Sequence, residues 1–471
     1  MSFVRLRIAL VAVLFLGTPF VAFAQTTDAY FEFLQARRLE ADGDPKGALA
    51  ALERAATADP KSAEIRAEVA ALHLRRQERA DAEKSAKAAL ALDETNVEAN
   101  RVLGLLYAAQ VEGSTERTPS PQTTAAMGDA ILYLERAVTG AGVTADANLQ
   151  FALGRLYIRS GAIDKAIQVL TRLVAQNPNA VQARIALAQA FAAGKDLKAA
   201  INVLDEILEE EPRVAPALAQ YQEEAGLLKE AADTLTLALA INPNSRELKL
   251  RRISVLLEAK EYARAATAAG DAKKQHPEEP RFPRLQGRAL FDSGDKTAGI
   301  AVLEAAVKQF PKDMGTLFVL ADVYADAGRA ADAEKSLRQV LTAEPNNASA
   351  LNYLGYLLAT RGEQLDEAVR LVQKALEAEP DNPAYLDSLG WAYFRKGDLD
   401  GAEKHLAAAA QKLPENSEIQ DHLGDLLAKR QRWSDAIAAW NRALAGDGQG
   451  IDKAVVEKKI SSAKGKVPNA R

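Results

Sequence analysis

Ahead of Pro414, the apolar residues Ala402, Leu406 and Ala409 stand four and three positions apart, so small and large side chains share one face of a helix. The arrangement recurs at a fixed distance from other prolines. Pro243, Pro277, Pro311 and Pro345 follow one another every 34 residues, and Pro380 and Pro414 continue the series with one extra residue before Pro380. Farther upstream in each period a Gly or Ala is followed three positions later by an aromatic residue: Gly154 with Tyr157, Ala188 with Phe191, Ala321 with Tyr324, Gly390 with Tyr393. Each period therefore reads as an antiparallel pair of helices. Small residues let the two backbones approach, large ones fill the space beside the contact, and proline with its Asn neighbours ends the second helix, as at Pro178-Asn179 and Pro243-Asn244. One such hairpin cannot bury its own apolar face, so the pattern demands stacked neighbours.

The register resembles the tetratricopeptide repeat family over nearly the whole chain. It predicts an all-α protein with about twelve repeats across 29–450. The resemblance implies a right-handed superhelical solenoid whose concave wall is lined by first helices and holds extended peptides or helices of partner proteins. The repeats starting at 29, 212 and 246 follow the pattern least. Pro216 sits early, and the repeat before residue 212 is three residues short, which predicts a kink or altered stacking there. Within the third repeat, Val111 to Met127 is an interruption whose Gly, Ser, Thr and Pro content predicts a loop. Residues 451–464, with Ile451, Val455, Val456 and Ile460 on one face, predict a terminal capping helix, and 465–471 a tail.

At 471 residues the chain exceeds the roughly 250 to 300 at which one globular core stops growing, which suits an array. The first 24 residues read as an export signal and not as part of it. Arg5 and Arg7 precede an apolar stretch from Ile8 to Leu16, and Ala22-Phe23-Ala24 offers a small-x-small cleavage site before Gln25. Gly17-Thr18-Pro19 interrupts the apolar run short of the roughly 20 residues of a membrane span. No transmembrane span is expected once the signal is removed. The absence of cysteine excludes disulfides and a lipidated cysteine after the signal. In a Gram-negative source the mature chain would be a soluble periplasmic protein. The formal net charge is −5, and loss of Arg5 and Arg7 makes it more negative, so nothing favours a nucleic-acid partner.

Signatures of catalysis are missing: there is no phosphate-binding loop, no His-Glu-x-x-His zinc helix and no Gly-x-Ser-x-Gly elbow. The four histidines, His73, His276, His405 and His422, never pair at ligand spacing, and Asp421-His422 with Asp425 is the nearest approach to a metal set. We therefore expect no enzyme, no cofactor and no metal, but a scaffold that binds other proteins. Asn352-Tyr353-Leu354-Gly355-Tyr356, Asn382 to Trp391 and His422-Leu423-Gly424-Asp425 resemble a run in bacterial envelope tetratricopeptide proteins, among them outer-membrane lipoproteins that act as protease adaptors. That resemblance implies an adaptor for envelope proteases or hydrolases, although the lipidated cysteine is lacking. A component of an exopolysaccharide or protein secretion assembly is the alternative. Helical phase turns Asn352, Tyr356, Asp387, Trp391, Phe394, Asp421 and Asp425 toward the groove. There an exposed Trp391 would anchor a partner, and the three aspartates would select Lys or Arg. Arg281, Arg284 and Arg288 form a second, basic strip suited to an acidic peptide, unless Glu278, Glu279 and Asp292 neutralise it.

Overall fold

The structure is a computed structural model that describes residues 19–114, 120–142 and 146–467. Most of the expected export signal, residues 1–18, lies outside the described residues, as do 115–119 of the interruption and 468–471 of the tail. The chain divides into two units, one ending at Ile241 and one beginning at Asn242.

In the first unit, α1 (Pro19–Ala41) and α2 (Pro45–Ala58) form a hairpin, followed by α3 (Ala63–Arg75) with α4 (Arg79–Leu90). Next come α5 (Val97–Glu112) with α6 (Pro121–Ala141) and α7 (Ala147–Ser160) with α8 (Ile163–Gln176). The last two pairs are α9 (Val181–Ala193) with α10 (Leu197–Asp205) and α11 (Ala215–Glu224) with α12 (Leu228–Ile241). The helix α1 runs through the expected cleavage site, so removal of the signal after Ala24 would leave Gln25–Ala41 to pair with α2.

Two segments differ from the sequence expectation. Residues 121–127, read as loop, are the first two turns of α6: Ser120 caps the helix by accepting from the Thr123 amide, and Pro121 takes the first helical position. Both are helix-start signals that a count of turn-forming residues hides. Around Pro212 the hairpins shorten. The helix α10 has 9 residues and α11 has 10, with a 3-10 turn at Pro212–Val214 between them, whereas α8 and α12 have 14 each.

The second unit begins with α13 (Arg246–Glu258) and α14 (Tyr262–Gln275), then α15 (Arg281–Asp292) with α16 (Lys296–Gln309). It continues through α17 (Met314–Asp326) with α18 (Ala330–Ala343) and α19 (Ala348–Arg361) with α20 (Leu365–Ala378). The final pairs are α21 (Pro383–Lys396) with α22 (Leu399–Lys412) and α23 (Ser417–Lys429) with α24 (Trp433–Ala445), against which α25 (Lys453–Lys464) packs.

In the second unit every first helix except α15 starts on a side chain that accepts from its free amides. Asp313 accepts from Thr316, Asn347 from Ala350, Asn382 from Ala384 and Tyr385, and Asn416 from Ile419. Inside the hairpins the chain turns through a left-handed residue, which is Gly at Gly294, Gly328 and Gly397 but Lys260 and Gln431 elsewhere. The helix pairs then close tightly. A Cβ on Gly390 would stand 2.6 Å from Leu406 Cγ, so this glycine admits the fully buried Leu406, with Ala402 and Ala409 buried on either side. Burial of a leucine in this way contributes about 1.5–3 kcal/mol. At the end of the stack, Val456, Ile460 and Ala463 of α25 cover the core between α23 and α24, while Val455, expected on the same face, is 50% exposed.

Candidate functional site

The first helices α19, α21 and α23 lie side by side, and with α17 they wall a cleft of about 450 Å³. Its lining is aromatic and polar. Phe318 and Asp322 come from α17; Ser349, Asn352, Tyr353 and Tyr356 from α19; Tyr385, Asp387 and Ser388 from α21; Glu418 and Ile419 from α23. Helical phase explains the set, because residues three, four and seven apart share a face. Phe318 and Tyr353 meet with ring centroids 5.9 Å apart, and Tyr385 Oη lies 3.4 Å from Ser349 Oγ.

Beneath the cleft lies a buried polar group. His422 Nδ1 is 3.0 Å from both oxygens of Asp387, which are bridged so that the ring proton is shared with the carboxylate. Burial alone would depress the imidazole, but the charge and hydrogen bond of Asp387, aided by Glu418 and Asp421, outweigh it and hold the pKa above the ordinary histidine value. Trp391 stacks on His422 with centroids 4.1 Å apart and 14° between planes, and it also stacks with Phe394 at 5.1 Å. Tyr356 donates its hydroxyl to Glu418; burial, then that neighbouring carboxylate, pushes its pKa far up, so it stays protonated. Two polar atoms here are shut off from solvent and, among the described residues, have no hydrogen-bond partner, Trp391 Nε1 and Asn352 Oδ1.

The expected site is therefore only partly assembled. Asn352, Tyr356 and Asp387 do line one cleft. Trp391 and Phe394 do not stand free at its surface; they form the stack with His422 that ties α21 to α23. Asp421 and Asp425 are not offered to a partner. Lys459 of α25 bridges them, donating to Asp421 at 2.8 Å and to Asp425 at 2.9 Å, and Trp440 Nε1 donates to Asp425 at 3.2 Å. The aspartates expected to select a basic partner thus pair with this chain's own His422 and Lys459. Of the nearest approach to a metal set in the sequence, Asp421 and Asp425 share Lys459 while His422 turns to Asp387.

The arginine strip is likewise neutralised. Arg281 donates to both oxygens of Glu279, and this hydrogen bond in turn holds Glu279 down to about 2. Arg284 reaches Asp313 at 3.5 Å, and Arg288 pairs with Asp292 at 2.8 Å, with Asp322, and with Asp326 at 3.7 Å. Sequence reasoning missed Tyr353, Tyr385, Glu418, His422 and Lys459. One signal was available: Asp387 and His422 are 35 residues apart, and Arg288 and Asp322, like Asp425 and Lys459, are 34 apart, one repeat in each case.

With helical pairs repeating at this interval, the family follows from direct comparison. Tetratricopeptide repeat models match residues 33–97, 157–221, 250–314, 318–383, 361–417 and 388–451, together well over half of the chain. The chain belongs to the tetratricopeptide repeat family. A TPR repeat-containing protein of Pseudomonas aeruginosa is 29% identical over 178 residues, which are 38% of this chain and 30% of that protein. The match thus spans less than a third of the length of that relative. Among solved structures, yeast Tom70 is 14% identical with a TM-score of 0.45, covering 93% of this chain and 96% of that one. A tetratricopeptide repeat protein from Parabacteroides merdae is 14% identical with a TM-score of 0.43, covering 55% of this chain and 98% of that one. The tetratricopeptide fold is consistent with a protein-interaction scaffold, and no described helix is long and apolar enough to cross a membrane.

Proposed function

We propose that this tetratricopeptide protein is a non-enzymatic adaptor of the bacterial cell envelope that holds a segment of a partner protein in the cleft formed by α17, α19, α21 and α23. The cleft itself carries the reading. It is open, large enough for several side chains, and lined by tyrosines and hydrogen-bonding groups, the composition of protein-recognition surfaces. Its walls are first helices fixed by caps and close packing, so the surface is preformed and little ordering entropy is lost on binding. The export signal read from residues 1–24 supports the envelope placement, and the similarity to a Pseudomonas aeruginosa protein supports a bacterial setting. The partners that fit are envelope proteases or hydrolases presented through exposed segments.

Ala384 is exposed on the wall of the cleft, and Ala384→Trp fills it without touching the buried stack. Wild-type protein purified from its own envelope fraction should begin at Gln25 and retain a defined partner that Ala384→Trp loses while its melting temperature is unchanged. A partner retained equally by both proteins would remove the cleft from the function. A mature chain still beginning at Met1 would remove export.

A further inference from the structure

Among the described residues, three carboxylates line the cleft, Asp322, Asp387 and Glu418, and no Lys or Arg does. Two of the three are already matched. Asp322 pairs with Arg288 and accepts from Tyr353 Oη at 2.9 Å, and Asp387 pairs with His422. Glu418 differs, since it accepts from the neutral Tyr356 hydroxyl and, among the described residues, makes no ion pair, its charge acting on no cation but the buried His422 that Asp387 already holds. The same cleft is lined by Tyr353, Tyr356 and Tyr385, and tyrosine ring faces attract an ammonium or guanidinium group when water is excluded. In the same wall the Asn352 side-chain oxygen is buried and, among the described residues, has no donor, which leaves its desolvation uncompensated until an N–H reaches it.

We propose that the occupant of the cleft is a cationic, extended segment of a partner protein, with a Lys or Arg side chain entering beside Glu418 and a segment N–H satisfying Asn352. This rests on the reading of the cleft as the partner site and adds the chemistry of what it takes. Rotation of the Asn352 amide about its terminal torsion, a soft motion, turns its oxygen to the occupant. An acidic segment would meet Glu418 unpaired and without a compensating cation in the lining, so the site discriminates by repulsion as well as by attraction.

Three fluorescein-labelled nine-residue peptides test it by anisotropy against the full mature chain: alternating Lys and Ala, alternating Glu and Ala, and alternating Ser and Ala. The Lys peptide should bind, and its Kd should rise several-fold between about 50 and 300 mM salt. Glu418→Gln, which keeps an acceptor for Tyr356, should weaken it by about fivefold or more, whereas the exposed control Glu457→Gln should leave it unchanged. Equal loss in the two variants, or no loss in either, overturns the assignment by showing only diffuse attraction to an acidic protein. Tighter binding of the Glu or Ser peptide that is abolished by Ala384→Trp overturns the cationic assignment and leaves the cleft standing as a partner site. Binding of any peptide that Ala384→Trp does not affect counts against both.

Discussion

At the scale of single residues, His422 shows how a side chain far from any catalytic pattern can govern this protein. Its imidazole faces Asp387 and Trp391 on α21, Tyr356 on α19, and Glu418 and Asp421 on its own helix, and Asp387 above all, with Glu418 and Asp421, holds its proton in the folded state more tightly than in the unfolded one. A raised folded pKa adds stability that is fully present below the unfolded value of about 6.5 and is lost as pH rises through the folded value. Thermal melts across pH 6 to 9 should therefore show a fall in stability that His422→Gln removes; an identical slope in both proteins would contradict the pairing. Backbone strain gives a second case. Lys260 sits in the left-handed region at φ 59° where neighbouring repeats place Gly, and its side chain is exposed. Lys260→Gly should raise stability by about 1 kcal/mol, and Gly328→Ala, at φ 75°, should lower it by a similar amount, both read from denaturant midpoints.

Among elements, the hairpins were legible in sequence because proline, the small-residue positions and the helix caps all repeat at one interval. The turns that carry Pro243, Pro277, Pro311, Pro345, Pro380 and Pro414 separate one hairpin from the next. The beginning of α6 was not legible, because Ser120-Pro121 is at once turn composition and a helix start, and only the amides of Thr123 and its neighbours decide between them. Groove-facing phase identified Asn352, Tyr356 and Asp387, yet phase says nothing about what reaches across from the next helix. Trp391, Asp421 and Asp425 have the right phase but are claimed by His422 and Lys459, one repeat or so downstream. Lys459 gives this a measurable consequence. Lys459→Ala leaves two partly buried aspartates facing each other and should loosen α25 by about 1–2 kcal/mol, seen as faster amide exchange in Val456 to Ala463 with the earlier hairpins unchanged. Trp391→Ala should lower the melting temperature, since the ring joins α21 to α23; unchanged stability would return it to the surface role expected from sequence.

For the molecule as a whole, stability built from neighbouring hairpins predicts that the array tolerates loss of a complete unit and not of half of one. Deleting 314–347 removes α17 and α18 together and brings α19 up against α16, so circular dichroism should still show a cooperative helical melt. Removing only 17 residues leaves one helix without its partner and should abolish cooperativity. The proposed function belongs to this scale as well, because the cleft is formed where four consecutive hairpins present their first helices together. The most direct measurement of that claim places a photoactivatable cross-linking residue at Ala384, on the cleft wall, or at Lys404, exposed on the second helix α22, in the full chain in its own host. The account predicts a discrete cross-linked partner from position 384, mapped to an extended segment, and none from position 404. Cross-links of equal yield and identity from both positions, or from 404 alone, would contradict it.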